Sequence, residues 1–316
     1  MIKTDTFLGN EVCCGSYAFI NTVQDAGIYP KIFEITMAVP FGISHRQEKD
    51  FSRLLTTYCD PHKGMDRAAR LWGYCPETML FRGIDEAAEY IVEKSRNSRC
   101  LVGPLDMGRL DYLIMPHLYR NMDHYITIFQ DEGQMFCMDS EGIPVRRVTK
   151  EELREWLFVG SLPEANGNIH VRNFERIRFC PDEIRREEAI RNSLPAIINN
   201  MAESAERGQG YHALENCWNY LAGVSVERWK LSFLYDISFL VQRKMLQQYW
   251  KELADSVCLL DGNAILEIEV IVQKQLEVLG SIFHGLQSEG NIYREHFQEL
   301  GKLEKQLAEV FSAFVT

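Results

Sequence analysis

The chain has 316 residues, 46% hydrophobic and 25% charged, the balance of an ordinary soluble globular protein with room for one large or two medium domains. Its net charge of −11 argues against binding a nucleic-acid backbone and is compatible with a cationic ligand. The nine cysteines are scattered, odd in number and without a CxxC pair, and the stretch Met1 to Asp5 carries no apolar leader. The expectation is therefore a cytoplasmic protein with reduced thiols, neither exported nor membrane-spanning.

The segment Glu11-Val12-Cys13-Cys14-Gly15-Ser16-Tyr17 reads as a short loop carrying two thiols into a helix that runs to about Ala26, with Gly27 where a C-cap glycine belongs. At a helix start, unpaired backbone N–H groups and the positive end of the macrodipole favour a thiolate, the form a nucleophilic cysteine needs. Two small buried thiols would give the same local pattern, so the partners must decide. Ile32 to Val39 fits a helix or a strand, with helix preferred, and Met65 to Trp72 is a short helix. Ile84 to Lys94 places its apolar residues at helical spacing.

The period then changes. Cys100 to Leu105 reads as a buried strand and is followed by a loop-like segment to Met122. In Asp123 to Gln130, Tyr125, Thr127 and Phe129 alternate with His124, Ile126 and Ile128, and a turn at Asp131-Glu132-Gly133 leads into a second strand, Gln134 to Asp139. Thr149 with Glu152 forms a capping-box pattern for a helix to about Phe158, and 160–180 is irregular or extended. Beyond residue 180 the pattern is helical throughout: about 182–206, 211–222, 226–260, 263–287 and 292–315, with Pro195 expected to kink the first. This gives two domains, 1–180 and 181–316, in an α+β chain with an all-α C-terminal half.

A cysteine at a helix N-terminus, a histidine at the start of a strand and an aspartate at the end of the next strand can meet in space. The antiparallel hairpin brings His124 and Asp139 to the same end of the sheet. Cys14 would attack an acyl carbon, His124 would take its proton or stabilise the thiolate, and Asp139 would orient the imidazole. Cys59-Asp60-Pro61-His62 could be half a metal site, but no second pair has ligand spacing, so no metal is expected.

Cys14-Gly15-Ser16-Tyr17-Ala18, with Gly27 thirteen residues after the cysteine, resembles the opening of the peptidase C39-like branch of papain-fold proteins. His124-Tyr125-Ile126-Thr127-Ile128 and Met138-Asp139-Ser140 resemble that branch's histidine and acid strands. The pairing of such a domain with a helical half resembles the butirosin biosynthesis protein H family. That resemblance implies a papain-like N-terminal fold and an acyltransferase using Cys14, His124 and Asp139. Such an enzyme moves an aminoacyl or γ-glutamyl-type group from an acyl carrier protein to an amine acceptor such as an aminoglycoside. It would need no cofactor beyond the phosphopantetheine that carries the donor.

The glycine after Cys14 and its spacing to Gly27 favour Cys14 over Cys13 as the nucleophile. Papain-like enzymes place a glutamine shortly before the nucleophile as an oxyanion donor. None stands before Cys14, which leaves Asn10 and the Cys14 backbone N–H as candidates. An acidic carrier would need basic residues, and Arg146, Arg147, Arg172, Arg176 and Arg178 are the N-terminal candidates. Asp236 is a candidate contact for the acceptor amine, in the more acidic half of the chain, where 13 Lys+Arg stand against 20 Asp+Glu in 181–316. A cysteine peptidase or amidohydrolase would share the same triad, and a catalytically silent binding module would keep the fold alone.

Overall fold

A computed structural model describes residues 13–45, 54–56, 60–141, 143–160, 162, 165–179, 181–202, 209–256, 262–288 and 291–313. In chain order these form α1 (Cys14–Val23), α2 (Pro30–Thr36), β1 (Ser44–His45), β2 (Leu55–Thr56), α3 (Pro61–Leu71), β3 (Tyr74–Phe81), α4 (Ile84–Lys94) and β4 (Cys100–Asp106). There follow β5 (Asp123–Asp131), β6 (Gln134–Asp139), β7 (Ile143–Arg147), α5 (Lys150–Trp156), β8 (Ile169–Arg176), α6 (Asp182–Met201), α7 (Tyr211–Ala222), α8 (Val226–Ser256), α9 (Gly262–Ser288) and α10 (Arg294–Ser312). Helix and antiparallel sheet are both present, in keeping with the α+β class.

The chain divides into two compact units, one from the described parts of 1–33 and 65–182, the other from 34–64 and 183–316. The last break, after residue 182, lies two residues from the expected boundary. The first domain expected from sequence, however, gives up 34–64 to the helical unit. The reason is apolar: Ile43, Leu54 and Leu55 are buried in one cluster with Leu214, Trp229, Phe233 and Leu300.

In the first unit, six strands form an antiparallel sheet in the order β3-β8-β4-β5-β6-β7. Strand alternation in β5 divides its side chains between the two faces. Thr127 donates its hydroxyl to the Ala18 carbonyl of α1 at 2.8 Å, whereas Ile126 and Ile128 sit in the core with Ala88 and Ile91 of α4 and Leu153 and Trp156 of α5. Each fully buried isoleucine of this kind contributes roughly 1.5–3 kcal/mol. The β5–β6 hairpin closes with Asp131 opposite Gln134, and both intervening residues, Glu132 and Gly133, have positive φ, the geometry that two-residue turns use to match strand twist. Thr149 and Glu152 form the capping box foreseen for α5.

Three strands of the six-stranded sheet escape the sequence pattern. β3 is an edge strand that carries Pro76 and many exposed side chains, while β7 lies at the other edge with Arg146 and Arg147. β8, assigned only as irregular or extended, lies inside the sheet but contains buried Arg172 and Asn173, which interrupt its apolar run. Helix α1 also ends earlier than expected. Gln24, with φ 53°, makes the left-handed C-cap, and the Gly27 N–H is bonded to Asp25 Oδ1 instead.

The second unit is helical apart from the short β1–β2 ladder. α8 packs on α9, and α10 on α9 and α7. The expected helices to 206 and 260 reach into residues outside those described. Although α8 has 31 residues, it is studded with charges, and among the described residues no helix is long and apolar enough to cross a membrane. Its core also holds polar groups: Lys244 Nζ lies 2.7 Å from Glu304 Oε2, to which Gln275 also donates, and Gln247 donates to the Pro40 carbonyl. Removing one member of a buried pair strands a charge, whereas replacing both with apolar residues removes the desolvation cost as well. Lys244→Met should therefore destabilise the protein by about 3–5 kcal/mol in urea unfolding, and Lys244→Met with Glu304→Leu should recover most of that loss.

Candidate active site

Three elements end at one place. Cys14 opens α1, His124 is the second residue of β5, and Asp139 is the last residue of β6. Because β5 and β6 pair antiparallel through a two-residue turn, the start of one and the end of the other lie at the same edge of the sheet. The fit there is close. A Cβ built on Gly103 of β4, where φ is 151°, would come within 2.6 Å of the His124 carbonyl oxygen, so only glycine permits this approach.

His124 Nε2 lies 2.7 Å from Asp139 Oδ1, and both side chains are only 1% exposed. The half-buried Cys14 thiol stands near the imidazole, close enough to help raise it. With Nε2 committed to Asp139, Nδ1 is the nitrogen left for the thiol. Cys13, the N-cap residue, makes no side-chain cap. Its sulfur points toward Gly15, 3.6 Å from where a Cβ would stand, so the imidazole's thiol partner is Cys14.

Asp139 is saturated with donors. Oδ1 also accepts the Glu141 N–H at 2.9 Å, and Oδ2 accepts the Tyr112 hydroxyl at 2.5 Å. Burial alone would raise the Asp139 carboxyl, but the charge and hydrogen bond of His124, together with the Tyr112 and Glu141 donors, outweigh it and hold the group below the usual carboxylate range. Burial alone would likewise lower His124. The charges of Asp139 and Cys14 and the bonds to both raise the imidazole well above its ordinary value. The arrangement favours an imidazolium paired with the Asp139 carboxylate, and an imidazolium beside a thiol can return a proton to a leaving group.

Tyr112 was not foreseen. It stands in the 107–122 connection, where no periodic pattern or motif marks it, and only the fold carries it to the carboxylate. Asn10, the expected oxyanion donor, lies outside the described residues. The Cys14 and Gly15 amides that open α1 stand as alternative donors, whereas the Ser16 N–H already bonds the Cys13 carbonyl at 3.1 Å.

The arginines do not form the expected docking patch. Arg172 is 2% exposed and its Nε lies 3.3 Å from Asp66 Oδ1, so it is interior. Arg146 is tied to Asp111 at 3.0 Å and Glu152 at 2.6 Å. Arg176 is half-buried over the Phe179 ring; Arg147 and Arg178 are exposed. The two sequence clusters belong to β7 and β8, which β4, β5 and β6 separate, so they lie roughly 20 Å apart at ordinary strand spacing. Asp236 is corrected too. It is buried in the second unit, where Oδ2 accepts the N–H groups of Leu54 at 2.8 Å and Leu55 at 3.1 Å, and it is not open to a solute amine.

A recess of about 1580 Å³ lies at the opposite end of α1, against Gln24, Arg99, Gln130 and Arg176, and includes none of Cys14, His124 and Asp139. Among the described residues no group of three or more His, Cys, Asp or Glu is placed to hold a metal ion.

No protein-family model matches the chain. It is 23% identical over 166 residues to a protein of Bacillus subtilis (strain 168) described as "Uncharacterized protein YobF", a match that covers 51% of this chain. The chain thus spans about half, 53%, of the length of that curated relative.

The two shifts set a pH signature. His124, raised, contributes stability that is complete below the ordinary imidazole value and is lost as pH climbs through its higher folded value. Asp139, lowered, contributes stability that is complete above the ordinary carboxylate value and is lost as pH falls through its lower folded value. The stability gap between wild type and Asp139→Asn should therefore be widest between about pH 4 and 6.5 and narrow as pH climbs through the raised folded value of His124. Melting temperatures across pH check this, and a gap that widens with alkali would refute the ion-pair account.

Proposed function

We propose that this protein is a cysteine-dependent acyltransferase of the butirosin biosynthesis protein H type, with a C39-like, papain-fold catalytic unit. The observation that carries the reading is the buried imidazole held 2.7 Å from Asp139 Oδ1, beside the Cys14 thiol that opens α1. In the proposed reaction the Cys14 thiolate attacks the carbonyl of an acyl group held as a thioester on an acyl carrier protein. The Cys14 C–S bond forms, the carrier C–S bond breaks, and His124 gives its proton to the departing carrier thiolate. An amine then attacks the enzyme thioester, His124 takes the proton lost by the amine, and the amide leaves with the Cys14 thiolate restored. Thioester-to-thioester exchange is nearly balanced, while amide formation from a thioester runs downhill, so the sequence needs no cofactor beyond the carrier's phosphopantetheine.

The acceptor in this reading is a small amine such as an aminoglycoside, and the place of reaction is the cytoplasm. The net charge of −11 supports a cationic acceptor through long-range attraction. Asp236 and Arg172 take no part, because both are buried and committed to internal partners.

Incubation with a short acyl thioester should add one acyl mass to the intact protein, and Cys14→Ser should abolish the adduct, while Cys13→Ala should retain most of it. Added amine should discharge the adduct as an amide. Discharge by water at the same rate with or without amine would make the protein a hydrolase, and a wild-type protein that never acquires the adduct would overturn the acyltransferase reading.

A further inference from the structure

The carboxylate that holds His124 is itself held by a cluster drawn from three other parts of the chain. Tyr112 places its hydroxyl 2.5 Å from Asp139 Oδ2, and its ring meets Trp156 of α5 edge-on at 5.1 Å. Trp156 Nε1 donates to Asp111 Oδ1 at 3.1 Å, so the residue before Tyr112 is tied to the same helix. Arg146 of β7 lies over both rings, 5.1 Å from the Tyr112 centroid and 5.4 Å from that of Trp156, while its guanidinium bonds Asp111 and Glu152. Glu152 is also the residue that completes the cap of α5. Through Trp156 and Arg146, this cluster fixes the Asp111-Tyr112 segment against the sheet edge.

We infer that Tyr112 is a positioning residue for the Cys14 site, its hydroxyl fixing the second oxygen of Asp139 so that the first stays aimed at His124 Nε2. The inference rests on the proposed nucleophilic role of Cys14 and adds a residue to it. Two oxygens of a carboxylate on a rotatable bond can exchange places. A strong donor on one of them opposes that rotation and favours the charged form. The groups facing Asp139 are His124 from β5, Tyr112 from the connection before it, Cys137 from its own strand and, behind Tyr112, Arg146 with Asp111 and Glu152. Burial drives both the Tyr112 phenol and the Cys137 thiol well above their ordinary values, so both remain protonated and neither adds a competing negative charge near neutrality. Tyr112 is therefore a donor to Asp139 across the whole range in which the carboxylate is ionised.

The test reads Cys14 directly and needs no substrate. Iodoacetamide alkylation of Cys14 is followed by mass spectrometry across pH in a Cys13→Ala background, so that the peptide carries one thiol. Losing one donor to a carboxylate weakens its charged form by about tenfold, so Tyr112→Phe, acting through Asp139 and His124, should displace the acid limb of the rate profile by up to about one pH unit. In an Asp139→Asn background the same substitution should have no further effect on the profile. A Tyr112→Phe profile identical to wild type, alongside an altered Asp139→Asn profile, would overturn the role of Tyr112 and leave the nucleophile standing. Equal rate losses from Tyr112→Phe in both backgrounds without a shift of the limb would mark Tyr112 as general packing and also overturn it. A wild-type Cys14 that alkylates at pH 6 no faster than free cysteine would instead overturn the nucleophile reading and the positioning role with it.

Discussion

The His124–Asp139 pair is buried to 1% exposure on both sides, and burial of that depth makes the interaction all or nothing. Either ion alone in such surroundings is strongly disfavoured, while together, with every remaining oxygen supplied with a donor, they are tolerated and directional. The pair also constrains the sheet. Antiparallel pairing fixes which residues of β5 and β6 share an edge, and a slip of one residue would turn His124 and Asp139 away from each other and carry Ile126, Ile128 and Cys137 out of the core. Core packing and site geometry thus enforce the same register.

Around this pair, charges work as scaffold. Arg146 and Arg172 look from sequence like surface cations, yet each is spent on carboxylates within the fold, Arg146 on Asp111 and Glu152 and Arg172 on Asp66. The same holds in the helical unit, where Asp236 fastens the backbone at Leu54 and Leu55, Arg243 pairs with Glu34, and Lys244 pairs with Glu304. These internal uses explain why segment 34–64 belongs to the helical unit. Its apolar residues enter that core while its backbone and Glu34 supply partners to buried charges on α8. A protein this acidic overall therefore shows few of its functionally suggestive charges to solvent.

Amphipathic α4, the β5–β6 hairpin, the α5 capping box and the run of C-terminal helices were all legible in the sequence. Each is specified by contacts between residues a few positions apart: apolar spacing, a Glu-Gly turn, or Thr149 with Glu152. Cys14, His124 and Asp139 were legible for the same reason, since each stands at the end of a locally encoded element. Tyr112, the burial of Arg172 and Asp236, the edge strands β3 and β7 and the allocation of 34–64 were decided only by tertiary structure. An edge strand buries too little to impose an alternating pattern. A buried arginine is written with the same letter as an exposed one, and a tyrosine in an aperiodic connection gains meaning only when a sheet edge brings a carboxylate within 2.5 Å of its hydroxyl.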